Sequence, residues 1–335
     1  MQALRFHSCG DPAQVLRLED IPTPQPGPGE VLVRMLAAPV NPSDRMFIAG
    51  TYGQAAQVPA TAGFEGVGIV IESGGGWLGR FLKGRRVAVG CRWGGTWAEQ
   101  LVLPAHNCVP LPSAIDNHQG AVFLVNPATA YILTRQLLKV PRRAWLIQSA
   151  GASHVGRMVV RLGKHFGFRT LSLVRRTEQV ALLKSLGADA VVHVPDERPA
   201  TLAAATEAIA AHLAGAPLRY ALDPVGGPIG SLFVPLLDRG GRLIVYGALS
   251  DQPLEISPRD LIARGGGVES FWLGPWMDQL PLLGKLSLIR KLTGLVRRDV
   301  LSTSQFETYP LEQFSAALTG LNHTNGQRIL LQCST

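Results

Sequence analysis

Residues 149–156 read Ser-Ala-Gly-Ala-Ser-His-Val-Gly, SAGASHVG in one-letter code. Small residues of this kind, set between a strand and a helix, serve either a turn that cradles dinucleotide phosphates or an elbow that presents a nucleophilic serine. The elbow needs Gly-x-Ser-x-Gly, because the strained serine must be flanked by residues without bulk. Here β-branched Val155 stands where the second glycine should be. The stretch fits Gly-x-Gly-x-x-Gly better, with Gly151 for the tight turn, Ser153 small enough for the backbone to approach a pyrophosphate, and Gly156 for close packing of helix on strand. Phosphate is then expected at the N-terminus of a helix beginning near His154, where free N–H groups and the helix dipole favour an anion. Gly151, Ala152, Ser153, His154, Val155 and Gly156 are the candidate phosphate-binding residues.

The flanking sequence agrees. WLIQS (145–149) reads as a buried strand, and Val155, Val159, Leu162 and Phe166 in the segment after it fall on one helix face. TLSLV, helix QVALLKSLG, AVVHV, helix TLAAATEAIAAHLA, RYALD, helix PIGSLFVPLLDRG and RLIVYG follow. Such alternation predicts parallel strands joined by helical crossovers, a doubly wound α/β sheet. The second strand ends at Val174, and Arg175-Arg176 stand where an acid would otherwise meet the ribose of NAD. Arginines there hold a 2′-phosphate by charge-assisted hydrogen bonds, so NADPH is the expected cofactor. Upstream, to about residue 120, the chain is rich in Pro, Gly and short β-type runs, with strands expected at 30–37 and in GVGIVIES and RRVAVGC. After about residue 260 the pattern is irregular, and the closing QRILLQC reads as a strand returning to the first domain.

Composition narrows the function classes. An apolar fraction of 46% in 335 residues supports buried cores in two domains. No apolar run approaches the roughly 18 to 20 residues that span a bilayer, and no apolar signal core precedes the first strand, so a cytoplasmic protein without a membrane partner is expected. Cys9, Cys91, Cys108 and Cys333 form no CxxC pair, which argues against a zinc knuckle or disulfide framework. The net charge of +8 is spread along the chain; small anionic ligands suit it better than nucleic acid.

Several separated motifs together resemble the zinc-independent branch of the medium-chain dehydrogenase/reductase superfamily, above all its 2-enoyl thioester reductases and quinone oxidoreductases. They are NPSDRMFIAGTYG (41–53), GFEGVG (63–68), NPATAY (126–131), the turn above, LVRRTEQVALLKSLGAD (173–189), DPVGG (223–227), GGRLIVYGALS (240–250) and FWLGPW (271–276). The resemblance implies a GroES-like β-rich catalytic domain, 1–121 with 262–335, and a Rossmann NADP-binding domain, 122–261, with the active site in the cleft between them. It implies homodimers by analogy. Zinc-dependent relatives carry a Cys and a GHE histidine, whereas this chain has Pro42-Ser43 after Asn41, and Phe64 in GFEG. No metal is therefore expected.

The resemblance further places Asn41 near the nicotinamide ribose, Asn126 and Thr129 near the nicotinamide and pyrophosphate, and Tyr246, Gly247 and Ala248 along the nicotinamide end. Phe271, Trp272 and Leu273 would close over that region. Tyr52, ending the Gly50-Thr51-Tyr52 element, is the candidate catalytic residue: its phenol would meet the thioester carbonyl as enolate charge develops. Plain hydrophobic packing is the alternative for Phe271, Trp272 and Trp276, a turn or helix cap for Asp44, and a wall of the cleft for Tyr52. Gly53 and Phe64 depart from the proline and asparagine of many enoyl reductases. Arg45, Arg142, Arg143, Arg290 and Lys291 are candidates to meet the phosphates of coenzyme A or a carrier protein, with solvated surface charge the favoured alternative for any one of them. The expected activity is NADPH-dependent reduction of an activated C=C bond of a 2-enoyl thioester; quinone or enone reduction, and NADPH binding without turnover, are the alternatives.

Overall fold

Eight strands occupy the chain up to residue 110 in the computed structural model, which describes residues 1–320 and 326–334. They are β1 Gln2–Phe6, β2 Arg17–Asp20, β3 Glu30–Pro39, β4 Ala60–Thr61, β5 Glu65–Ser73, β6 Arg86–Gly90, β7 Gln100–Pro104 and β8 Cys108–Pro110. Six more alternate with helices: β9 Trp145–Gln148, β10 Arg169–Val174, β11 Ala190–His193, β12 Leu218–Asp223, β13 Arg242–Val245 and β14 Gly267–Ser270. The chain closes with β15 Phe306–Pro310 and β16 Arg328–Gln332.

Two units result, one of residues 1–125 and 302–335, the other of residues 126–301. In the first, β3 is central, antiparallel to β5, β7 and β16. Its alternating Val31, Val33 and Met35 are fully buried with Phe6, Phe47 and Trp97, as expected of a half-covered antiparallel strand. Ile329, Leu330 and Leu331 of β16 are buried too, because β15 and β3 flank the strand on both edges. QRILLQC thus returns to the first unit as its sequence suggests.

The second unit is a parallel sheet in the order β11-β10-β9-β12-β13-β14. All four residues of β9 are buried, the mark of a parallel strand covered on both faces. The helix His154–Phe166 follows, capped by the Ser153 hydroxyl, which accepts from the Gly156 N–H at 3.1 Å, and closed by Gly167 at φ +81°. PIGSLFVPLLDRG forms two short helices, Gly227–Ser231 and Phe233–Leu236, where one was expected; Pro235 cannot donate to a continuing helix.

The units divide after residues 125 and 301, where the sequence suggested 121 and 261. The segment after 261 supplies β14, parallel to β13 from Arg242↔Gly267 to Val245↔Ser270. Arg242 Nε and Nη2 each donate to the Glu269 carboxylate at 2.7 Å and pin it there. Four residues that begin with a glycine and follow two more carry too little pattern to announce such a strand.

Candidate functional site

The opening stretch forms a turn at the carboxyl end of β9. Ala150, not Gly151, takes the positive φ, at 45°, so the expected reason for Gly151 is corrected. A Cβ on Gly151 would meet Ser172 Cβ at 2.5 Å and Leu183 Cδ1 at 3.1 Å; the glycine lets the turn lie against β10. A Cβ on Gly156 would strike the carbonyl oxygens of Gly151 and Ala150, so that glycine draws the helix start onto the turn. Ser153 serves as the N-cap. The N–H groups of Ala152 and Val155 have no protein partner among the described residues. Orphan donors at the start of a 13-residue helix fit a dinucleotide pyrophosphate.

The Ser149 hydroxyl donates to Asp223, the last residue of β12, and the two Asp223 oxygens accept from Val225 N–H at 3.0 Å and Gly226 N–H at 2.8 Å. Burial raises the Asp223 pKa against these bonds. The DPVGG loop shaped in this way receives the loop after β13: a Cβ on Gly247 would meet the Pro224 carbonyl oxygen at 2.7 Å, while Ala248 is exposed. The Tyr246 hydroxyl is buried without a hydrogen-bond partner among the described residues, and burial followed by the nearby Asp223 charge raises its pKa. An orphaned buried hydroxyl is the kind of group that a ligand or water satisfies. Phe271 is buried and meets Trp276 edge-on, with centroids 6.2 Å apart; Trp272 is more exposed, and Leu273 half-buried. Thr129 is buried and Asn126 half-buried on the helix Val125–Tyr131.

Arg175 and Arg176 are exposed directly after β10. Arg176 Nε lies 3.3 Å from Glu178. His193, at the end of β11, donates through Nε2 to the Arg175 carbonyl at 3.2 Å. Arg142 and Arg143 lie at the other end of the sheet, where Arg143 N–H donates to the Gly167 carbonyl. A 13-residue helix, roughly 20 Å long, separates them from the turn, so they do not join its phosphate site.

In the first unit, Asn41 caps the helix Pro42–Ala49 and Asp44 completes a capping box, accepting from the Asn41 N–H at 2.7 Å. Asp44 also accepts from the Phe64 N–H at 3.0 Å. The Asn41 carboxamide is turned inward: it donates to Glu65 at 3.2 Å and accepts from Arg328. Burial, with help from Glu65, pushes Asp44 up to about 7 against the two backbone bonds and Arg328. Burial likewise raises Glu65 and lowers Arg328. The Tyr52 ring lies 4.9 Å from the Phe64 ring at a tilt of 31°. Gly53 takes φ +74°, which proline cannot adopt, so the loop after the tyrosine differs from that of relatives with proline there.

Glu65 and Arg328 were missed in the sequence. Arg328 does stand out as a charge within an apolar strand, but nothing local names its partners. Among the described residues no group of three His, Cys, Asp or Glu is gathered that could hold a metal ion. Burial pushes the thiols of Cys91, Cys108 and Cys333 up to about 12, so they stay neutral at physiological pH. No described helix is long and apolar enough to cross a membrane. A cavity of about 540 Å³ between β11 and the helix Pro199–Leu213 touches none of the candidate residues.

The chain matches the alcohol dehydrogenase GroES-like domain over residues 27–113 and the zinc-binding dehydrogenase domain over residues 155–286. The mitochondrial enoyl-[acyl-carrier-protein] reductase of Xenopus tropicalis is 33% identical over 331 residues, covering 95% of this chain and 91% of the relative. A candidate NADPH:quinone reductase from Bacillus thuringiensis has a TM-score of 0.90 and 28% identity over 99% of this chain and 98% of its own. The complex of Etr1p with NADP and crotonyl-CoA has a TM-score of 0.84 and 25% identity over 99% of each chain. The mitochondrial 2-enoyl thioester reductase Etr1p/Etr2p heterodimer from Candida tropicalis has 0.83 and 25%, again over 99% of each. The cytoplasmic placement expected above is overturned by these names, since the Xenopus and Candida proteins are mitochondrial. That expectation rested on the lack of an apolar signal core, and mitochondrial addresses are amphipathic and Arg-rich.

Proposed function

The chain belongs to the medium-chain dehydrogenase/reductase superfamily, in its enoyl reductase and quinone oxidoreductase group, and from that membership we propose that it reduces the C=C bond of a 2-enoyl thioester with NADPH. The near full-length likeness to an enoyl reductase carries the reading. Steady-state oxidation of NADPH with crotonyl-CoA, and then with a naphthoquinone, tests it. A quinone preference would favour the second reading, which the Bacillus neighbour supports. No turnover with either leaves a nucleotide-binding protein.

When bound, NADPH supplies the hydride that reduces the β-carbon. The Ala152 and Val155 N–H groups and the helix dipole hold its pyrophosphate, and Arg175 with Arg176 its 2′-phosphate. Tyr246, Gly247, Ala248, Phe271, Trp272 and Leu273 border the nicotinamide end, with Asn126 and Thr129. Tyr52 donates to the thioester carbonyl oxygen as negative charge develops there, and the proton reaches the α-carbon from the phenol or from water. The step as proposed calls for no metal. Arg45, Arg290 and Lys291 remain available to thioester phosphates.

Two copies pair through the free edge of β14. The strongly exposed Ile262 (81%), in the helix before β14, and Leu283 (80%), in the second helix after it, support this, as such apolar side chains gain by being covered. A monomer by light scattering at micromolar concentration would dismiss the pairing.

A further inference from the structure

A cluster of charges beneath the catalytic loop is left unused by the mechanism above. Asp44, Glu65 and Arg328 are each at most 3% exposed. They come from the helix Pro42–Ala49, β5 and β16, so three remote segments meet at one buried point. Arg328 lies 3.6 Å from Glu65 and also donates to Asn41. Glu65 accepts in addition from the Val125 N–H at 2.9 Å. Two carboxylates thus share one cation in a place that water does not reach.

We propose that Asp44 is a positioning residue for the Tyr52 phenol, and that Arg328 is the countercharge that keeps it ionised. The inference rests on the reading of Tyr52 as proton donor. As a carboxylate, Asp44 offers an oxygen to each of two N–H groups, of Asn41 and of Phe64. This fixes Phe64, whose ring packs between Phe47, at 5.1 Å, and Tyr52, at 4.9 Å. Protonation weakens Asp44 as an acceptor at both oxygens, so the Phe64 backbone and the ring stacked on Tyr52 loosen together. The charged groups facing Asp44 are Glu65, which repels its ionised form, and Arg328, which favours it. Cys91, whose N–H donates to the Phe64 carbonyl at 2.7 Å, is a neutral thiol and adds no charge. With Asp44 pushed up to about 7, the device would work near neutrality. Among the described residues the buried Arg328 Nε has no hydrogen-bond partner, a cost that a purely structural apolar residue in β16 would not carry.

The test follows kcat for crotonyl-CoA against pH, together with the ¹³Cζ NMR resonance of Tyr52, assigned with Tyr52→Phe, in the parent, Asp44→Asn, Arg328→Met and Arg328→Lys. In the parent, kcat should fall on the acid side with a midpoint near neutrality, and the Tyr52 resonance should move with the same midpoint. Asp44→Asn should give a flat profile at least about tenfold lower and a resonance that no longer follows pH, with KM for NADPH little changed. Arg328→Met should move the midpoint upward by about one unit or more, and Arg328→Lys should restore most of it. If Arg328→Met does not fold, Asp44→Asn and Arg328→Lys decide. An acid limb and a Tyr52 shift that persist in Asp44→Asn overturn the inference, even where Tyr52→Phe is slow. Parental kcat in Tyr52→Phe sinks the proton-donor reading, and the inference with it.

Discussion

His193 Nε2 lies 3.2 Å from the Arg175 carbonyl oxygen, so the side chain that ends β11 braces the backbone where β10 gives way to the two arginines. Arg175→Ala should cost roughly 1.5 to 3 kcal/mol of NADPH affinity, the worth of a charged hydrogen bond. Arg176→Ala should cost less, because Glu178 already engages its guanidinium at 3.3 Å. NADH affinity should hold in both. Fluorescence titration checks the order, and equal dissociation constants for NADPH and NADH in the unmodified protein would contradict the assignment.

Tyr52→Phe keeps the ring against Phe64 and removes the hydroxyl. Positioned acid catalysis is worth about 10² to 10⁴ in rate, so kcat on crotonyl-CoA should fall by that order while NADPH affinity stays near the parent's. A quinone, which accepts hydride with less demand for a placed proton donor, should suffer less. The comparison holds only where deuterated NADPH shows that hydride transfer limits turnover.

Gly151→Ala brings a methyl against Ser172 Cβ at 2.5 Å. Overpacking of this kind costs about 1 to 3 kcal/mol. Urea unfolding should show that loss, and NADPH affinity should drop as the turn is pushed off β10. A variant as stable and as tight-binding as the parent would mean that the turn has room the packing denies.

Dialysis against a strong chelator should leave turnover and melting temperature unaltered. Loss of either, restored by Zn²⁺, would show that donors have been misjudged.

Asp44 links stability to pH. Its pKa is raised from 3.8 to about 7 in the folded protein, so its contribution is full below the unfolded value and is lost as pH rises toward and through 7. Melting temperature should therefore decline between about pH 4 and pH 7, and less steeply in Asp44→Asn. An identical slope in the two proteins rules out Asp44 as the titrating group.

The second unit was legible because its signals are local. A buried strand, a small-residue turn and an amphipathic helix follow one another within some twenty residues, and each is set by side-chain period and steric bulk. β14 escaped because its four residues are held by pairing with β13 and by two hydrogen bonds that Arg242 of that strand donates to Glu269. Compartment escaped because a folded reductase carries no trace of it.

The sequence by itself determined the alternation of the Rossmann strands, the strand-to-helix turn that SAGASHVG makes, and the two arginines directly after β10. Those follow from short-range sterics and from charge at a known place in a repeating unit. Only the tertiary structure decided that Gly151 is a glycine for the sake of Ser172, that β14 joins the parallel sheet, and that Asn41 meets Arg328 across 287 positions of sequence. The balance of charge around Asp44 is decided there as well, because burial and countercharge depend on which distant segments are brought together, and no local pattern records that.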